Sequence, residues 1–362
     1  MANKNYLIRG VVLAMMWLTL TGCSQFGPSV IAGSRTDYNL AMRETESEQM
    51  LLNLVRLRYR DPSYFLEAAA LNTQFSIAPS AEISSTFDFD GATSNGVRGR
   101  FAFEEKPTVT YTPLQGEKFV RQVMSRVALE TILLLDAGGW NIDRVLRLTV
   151  EKLNGLDNAP RASGPTPTDA PQYASFLRAV GLIAELERGE NVSILYRVNE
   201  SSGSYVLRLN PLAQSAQLQE LRELLGLSAE QNEYRITVNE ATHRPDTINL
   251  QTRSFMGVLY FLSQGVSVPG SDLSSGRVTQ TLDDSGNAFD WSQVTAGLLA
   301  VQSSAQAPKN PAVALDYRGH WFYIDDSDLD SKSTFSLLGL LYALQSKGNQ
   351  SAAPVLTLPV GG

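Results

Sequence analysis

The chain has 362 residues, 30 of them Lys or Arg and 37 Asp or Glu, giving a formal charge of −7 at pH 7, and 43% of it is hydrophobic. That share is ordinary for a globular protein, and the acidic balance argues against general nucleic-acid binding, which needs cations to neutralise phosphates. One cysteine and two histidines leave no set for a disulfide within the chain, a thiolate metal site or a zinc site of the HExxH kind.

The first elements concern export. Residues 1–9 are polar with two cations, Lys4 and Arg9, and no acid, and residues 10–20 form an apolar run. A basic start, a short apolar core and small residues at its end describe a secretory signal. The run is about half the roughly 20 residues that a membrane-spanning helix needs. The signal ends in Leu20-Thr21-Gly22-Cys23, and Cys23 is the only cysteine.

That tetrapeptide resembles the lipobox of bacterial lipoproteins: a branched apolar residue, two small ones, then cysteine. The resemblance implies removal of residues 1–22, a lipid on the Cys23 sulfur and acylation of its new amine, with palmitate among the expected groups. Several acyl chains at about 0.8 kcal/mol per buried CH₂ make a durable anchor, whereas one chain binds only marginally. Ser24 is not the aspartate that retains such proteins at the inner membrane, which implies the outer membrane of a Gram-negative cell. Without Lys4 and Arg9 the remaining body carries 28 cations against 37 acids, a net −9.

Residues 23–36 contain Gly27, Pro28, Gly33 and Ser34 without apolar periodicity and are expected to form a lipidated tether. Residues 38–59 turn helical, with Met50, Leu51, Leu54, Val55 and Leu57 near helical spacing and Asp61-Pro62 as the stop. A β-hairpin follows. Ile83, Phe87 and Phe89 alternate with polar residues, Phe101 and Phe103 answer them across 91–97, and Val109 and Tyr111 suggest a third strand. Helices are expected over 114–135, with a break, and 142–153.

Residues 158–171 hold four prolines and no large apolar residue, and predict a linker or long exposed loop. The next expected elements are a helix at 173–188, strands at 192–198 and 205–209, and a helix at 216–225. Strands at 234–238 and 247–250 and a helix at 254–264 follow. A loop over 269–287, a strand at 312–324, a helix at 331–346 and a closing strand at 355–360 complete the pattern. The fold class read from this is α+β in two parts: an N-terminal helix with an antiparallel hairpin (37–157), and a C-terminal mixed α/β-sheet unit (172–362).

Chemical motifs are weak. Asp325-Asp326-Ser327-Asp328-Leu329-Asp330 begins like a calcium loop, but the sixth and twelfth positions hold Ser331 and Leu337 where glycine and an acid are needed. A turn with Asp330 or Ser331 capping the next helix explains it better. His320 lies near Asp325 and Ser327, but neighbours in sequence are poor material for a triad, which is assembled in space. His243 fits a turn. The acid pairs Glu104-Glu105 and Asp283-Asp284 are not spaced across a cleft as a glycosidase requires. The run from Phe335 to Leu344 reads as a helix buried on all sides.

These readings assign no catalytic, cofactor-binding or metal-ligating residue. Cys23 is the lipidation site, and its covalent lipid is the only attached group expected. Arg56, Arg58 and Arg60, beside Tyr59 and Tyr64, are candidates for a surface that meets an acidic partner, with Arg56 and Arg60 on one helix face. The expected role is a non-catalytic lipoprotein of the outer membrane, facing the periplasm, that binds or scaffolds an envelope protein or the cell wall. The alternative is a carboxylate-dependent hydrolase or lyase acting on cell-wall or surface polysaccharide.

Overall fold

The computed structural model describes residues 26–87, 93–165, 167–198, 203–212, 215–240 and 244–346. Cys23, the leader, His243 and the expected strand at 355–360 lie outside the described residues. The architecture is α+β, as the sequence predicts, with helices around mixed and antiparallel sheets.

The first helix, α1 (Phe26–Arg58), is 33 residues long. The stretch expected as a tether is therefore helical from Phe26 onward. Further along, Leu51, Leu54 and Val55 are fully buried and Leu57 nearly so, the spacing of one helical face. Arg56 and Arg58 complement the dipole in the last turn. Arg60 then turns left-handed with φ 61°, and the Asp61 N–H closes on the Arg56 carbonyl at 2.8 Å. Arg60 is thus beyond the helix and does not share a face with Arg56.

The hairpin is longer than its sequence suggests. β1 (Leu66–Phe87) and β2 (Thr93–Pro113) pair antiparallel along their whole length, from Leu66↔Pro113 to Phe87↔Thr93, with one irregularity at Ala68/Ala70. Val109 and Tyr111 continue β2 and make no third strand. Thr93 to Val97, expected in the turn, are strand.

After the hairpin come α2 (Glu117–Met124), α3 (Leu129–Ala137) and α4 (Ile142–Thr149). The expected helix at 142–153 stops at Thr149, and β3 (Val150–Leu153) takes over because it pairs with a strand about one hundred residues away. That partner is β8 in the six-stranded sheet. The sheet comprises β3, β4 (Leu156–Asp157), β5 (Val192–Val198), β6 (Gly203–Leu209), β7 (Glu233–Val238) and β8 (Thr247–Thr252), in the order β4-β3-β8-β7-β6-β5. All its neighbours are antiparallel except β7 and β8. Two helices lie between strands: α5 (Ala174–Arg188), packed on α4, and α6 (Ala216–Leu225), capped by Ser215 and ended by Gly226 at φ 60°.

At the centre lies α7 (Phe255–Ser263), where Phe255, Val258, Leu259, Phe261 and Leu262 are all fully buried. Ser254 Oγ caps it by accepting from the Gly257 N–H at 3.0 Å. The expected loop at 269–287 contains a short helix, α8 (Gly270–Ser274), and α9 (Ser292–Thr295) follows it. A three-stranded sheet combines β9 (Gln302–Ser304), β10 (Pro311–Tyr317) and β11 (His320–Asp325). The strand expected at 312–324 is thus two, joined by Arg318 (φ 55°) and Gly319 (φ 79°), the pair of positive φ values that a tight hairpin turn requires. The last described helix is α10 (Leu329–Ser346). Leu337, Leu338 and Leu341 are buried but Leu340 is exposed, so α10 keeps one wet face, contrary to the expectation of burial all round.

Residues 158–171 do not form an exposed linker over their first half. Asn158, Ala159 and Ala162 are buried, Pro160–Ser163 forms a 3-10 turn, and the Thr281 hydroxyl donates to the Pro167 carbonyl at 2.6 Å. One continuous core joins buried residues on both sides of this stretch, from Leu51 to Leu341.

Candidate functional site

The root of the hairpin is fastened to α1 by two side-chain amides. Asn53 donates from Nδ2 to the Tyr64 carbonyl at 2.9 Å and accepts the Tyr64 N–H on Oδ1 at 2.8 Å. Gln49 does the same with Leu66, at 3.1 and 2.8 Å. The match is geometric: four helical residues rise about 6 Å and two strand residues about 6.6 Å, so amides one turn apart meet alternate peptide groups. The helix thereby acts as an extra strand for the segment that leads into β1.

Beside this root lies an open groove of about 530 Å³ between α1, the base of the hairpin, β10–β11 and α10. Its lining includes Phe65 and Tyr342, whose rings stack at 5.5 Å with an interplanar angle of 19°. Phe255 packs against Tyr342 at the same separation. The Tyr342 hydroxyl is buried without a hydrogen-bond partner, and burial first, then the Glu67 and Glu46 carboxylates, raises its pKa far above the ordinary phenol value. Arg43, Glu46, Glu67 and Lys332 add charge of both signs around this aromatic surface.

The other end of α1 is tied down by a second network. The Tyr59 hydroxyl donates to Asp272 at 2.7 Å, and Arg277 donates to the other oxygen of the same buried carboxylate at 2.8 Å. Tyr317 and Arg318, from the β10–β11 turn, both donate to Asp61, and the Arg318 guanidinium lies 4.9 Å from the Tyr59 ring centroid. The hydrogen bond from Tyr59, aided by Arg277, holds Asp272 below the usual carboxylate range against the effect of burial. At Asp61 burial is the largest influence and acts upward, but the bonds from Tyr317 and Arg318 together outweigh it.

A third feature is structural. Arg253 is 1% exposed and no carboxylate is among its hydrogen-bond partners. Its guanidinium donates to the carbonyls of Arg147, Leu148 and Val150 at 3.1, 3.2 and 2.8 Å, to that of Asn158, and to the Ser163 hydroxyl at 3.0 Å. These include the last carbonyls of α4, where the helix dipole favours a cation. The Phe261 ring covers it at 4.1 Å. Burial pulls Arg253 down to about 9, with Glu151 acting the other way, so it remains cationic at neutral pH.

The three arginines singled out in the sequence separate. Arg58 is buried, donates to the Thr279 carbonyl at 3.0 Å and is pulled down to about 10 by burial. It is part of the core's frame and is withdrawn from any partner surface. Arg56 is half-buried beside a shallow recess with Asp61, Tyr64 and Arg318, and Arg60 is exposed. The aspartate run caps α10, through a residue the sequence reading did not choose. Asp328 accepts from the Ser331 N–H at 3.0 Å and the Ser331 hydroxyl at 2.6 Å. Asp325 holds Ser327, Asp326 pairs with Lys332 at 2.5 Å, and Asp330 pairs with Arg144 at 2.6 Å. His320 is five residues from Asp325 on β11, hence on opposite faces, and that aspartate already accepts from Ser327 at 2.5 Å. Asp283 accepts from the N–H groups of Ser285 and Asn287 in its own loop.

No family model, curated protein or solved structure matches this chain.

One acid pair does come together that the sequence did not flag: Asp136 on α3 and Glu187 on α5. Burial first, and then their mutual contact in the case of Glu187, raises both. They share a hydrogen bond, so they stand closer than the roughly 5 to 10 Å that glycoside hydrolysis needs between carboxyls. Among the described residues no group of three or more His, Cys, Asp or Glu side chains could hold a metal ion.

These shifts set a pH profile. Asp61 and Asp272 have lowered folded values, so their contribution is complete above about pH 4 and is lost as the pH falls through those values. Asp136 and Glu187 have raised values, so they favour the fold at mildly acidic pH and lose that contribution as the pH rises through them. Stability measured by urea unfolding is therefore expected to peak in the mildly acidic range and fall steeply below pH 4. Asp272→Asn should flatten the acid limb, and an unchanged limb would refute the assignment.

Proposed function

We propose that the protein is a non-catalytic lipoprotein of the Gram-negative outer membrane whose body, on the periplasmic side, binds another envelope component. The leader and Leu20-Thr21-Gly22-Cys23 support the anchor. The observation that carries the binding role is the groove beside the hairpin root. It offers an aromatic surface, an unpartnered Tyr342 hydroxyl and a rim of both charge signs, which suits an apolar side chain flanked by polar backbone from another protein. Asp283, Asp325, Asp326, Asp328 and Asp330 are engaged in caps, turns and ion pairs. No helix among the described residues is long and apolar enough to cross a membrane.

The anchor predicts that Cys23→Ser abolishes both acyl labelling in cells and cleavage of the leader, measured by incorporation of a palmitate analogue and by the mass of the product. A variant still cleaved and membrane-bound would refute it. A photoreactive residue at Ser336, which lines the groove, is expected to capture one predominant envelope protein in intact cells. Purified protein that digests cell wall would overturn the reading in favour of a hydrolase.

A further inference from the structure

The β1–β2 hairpin has no counterpart in the function just proposed, and it has properties that a soluble appendage does not need. Its strands pair over 22 and 21 residues, against the 5 or 6 usual in globular proteins. Among the described residues it forms a two-stranded sheet of its own, and past its root its main contacts are between the two strands themselves. An isolated two-stranded hairpin is at best marginally stable in water.

The register sorts its residues. Beyond the irregularity at Ala68/Ala70, odd-numbered positions of β1 stand opposite odd-numbered positions of β2, and directly opposed residues share a face. The odd face carries Phe75, Ile77 and Ile83 on β1 and Val97, Phe101 and Phe103 on β2. The even face is almost entirely Ser, Thr, Asn, Gln, Gly, Ala and charged residues. Between Leu71 and Val109, leaving aside 88–92, Glu82, Arg98, Arg100, Glu104 and Lys106 all fall on the even face, and Glu105 alone falls on the odd one.

We infer that the hairpins of several copies of this chain join edge to edge into a closed antiparallel β-barrel that crosses the outer membrane, with the odd face toward lipid and the even face lining the lumen. The inference rests on the outer-membrane reading above and deepens it. The length fits: from Phe75 to Phe87 a strand runs about 40 Å, and the 35–45° tilt of barrel strands reduces this to about 30 Å, one hydrocarbon thickness. Phe75 and Phe87 stand at the two ends of that band, and Glu105, opposite Phe75, sits at its rim. Closure is obligatory, because an unpaired strand edge cannot be solvated in hydrocarbon. Identical hairpins are the partners whose alternation matches row by row. Pro79 and Pro107 each remove one donor, which discourages open-ended stacking and leaves most of each edge available. A barrel of about eight strands needs four copies, and a water-filled lumen needs about sixteen strands, hence eight. The paired amides of Gln49 and Asn53 would hold each hairpin at a fixed angle to its body.

The test uses the full-length lipidated protein in outer-membrane preparations, with single cysteines placed one at a time at positions 76 to 83. Cys23 is the only native cysteine and is acylated in this reading, so each new thiol reports alone. Labelling by a membrane-impermeant maleimide is expected to alternate with a period of two, even positions reacting and odd ones protected until detergent is added. Ile77→Asp should abolish the oligomer seen after crosslinking, whereas Ser76→Asp should retain it, with the thermal melt of the body unchanged in both. Uniform labelling of a lipidated, membrane-bound chain overturns the barrel and leaves the anchor standing. Alternation in a chain that carries no lipid overturns the anchor and leaves the barrel standing.

Discussion

Arg253→Ala is expected to destabilise the folded body by about 4 kcal/mol, the largest single-residue loss the structure implies outside the apolar core. The guanidinium supplies donors to four backbone carbonyls and one hydroxyl drawn from α4, β3 and the 158–163 crossing, and its bonds to Leu148, Val150 and Asn158 are closed to water. Truncation removes the guanidinium donor from the Leu148 and Asn158 carbonyls, leaves those of Arg147 and Val150 to Asn158 Nδ2 alone, and opens a void against Phe261. It also removes the cation that faces the end of the α4 dipole. Arg253→Lys keeps the charge but supplies three donors from one point in place of a planar fork, and should recover less than half of the loss. Arg253→Met keeps much of the volume without any donor and should resemble alanine. The measurement is the urea midpoint of the unlipidated body at constant m-value. A shift equivalent to less than about 1 kcal/mol for alanine would mean that water replaces the guanidinium and that the site is not closed.

Arg253 also marks the limit of what the sequence discloses. Ser254 announces the cap of α7, and the ten-residue α6 can be bounded exactly from Ser215, Gly226 and its apolar spacing, because those signals are local. The partners of Arg253 are carbonyl groups, which every residue has, so no pattern of side chains points to them. The same holds for Gln49 and Asn53: amides one helical turn apart are common, and only the chain lying beside them gives the spacing a purpose. Asp136 and Glu187 escape a search among sequence neighbours, because α3 and α5, both packed on α4, bring together two acids far apart in the chain. The sequence extends the helix over β3 because Val150 and Leu153, three apart, continue the apolar spacing of α4, and the pairing with β8 settles the choice. Arg318 gave no sign of its positive φ, so two strands were read as one. The hairpin is the opposite case. Its alternation was visible around Ile83 and Phe103, but Pro79, Pro107 and several glycines obscured how far the two strands continue.

Asn53→Ala should release the hairpin root. Asn53 is fully buried, and its amide satisfies both the N–H and the carbonyl of Tyr64, so the truncation orphans two peptide groups at once. At 1–3 kcal/mol for each unpaired group, partly offset by solvent reaching the loosened segment, the expected loss is about 3 kcal/mol. Asn53→Asp separates the two bonds, since a carboxylate still accepts the N–H but cannot donate to the carbonyl, and its buried charge makes it no milder than alanine. Gln49→Ala breaks the equivalent pair at Leu66, which is only partly buried, and should cost less. The two positions share one function, so the double variant is expected to lose less than the sum of the singles, because the root frays once either clamp opens. Hydrogen exchange gives the site-resolved check: the amides of Tyr64 and Leu66 should lose protection in Asn53→Ala while those of α7 keep theirs. If protection instead falls equally in α7, the amide clamp is part of the global fold and not a local fastening of the hairpin. A local result would mean that the hairpin is held to its body by two side chains on α1, placed where tension on the hairpin would be transmitted to the helix.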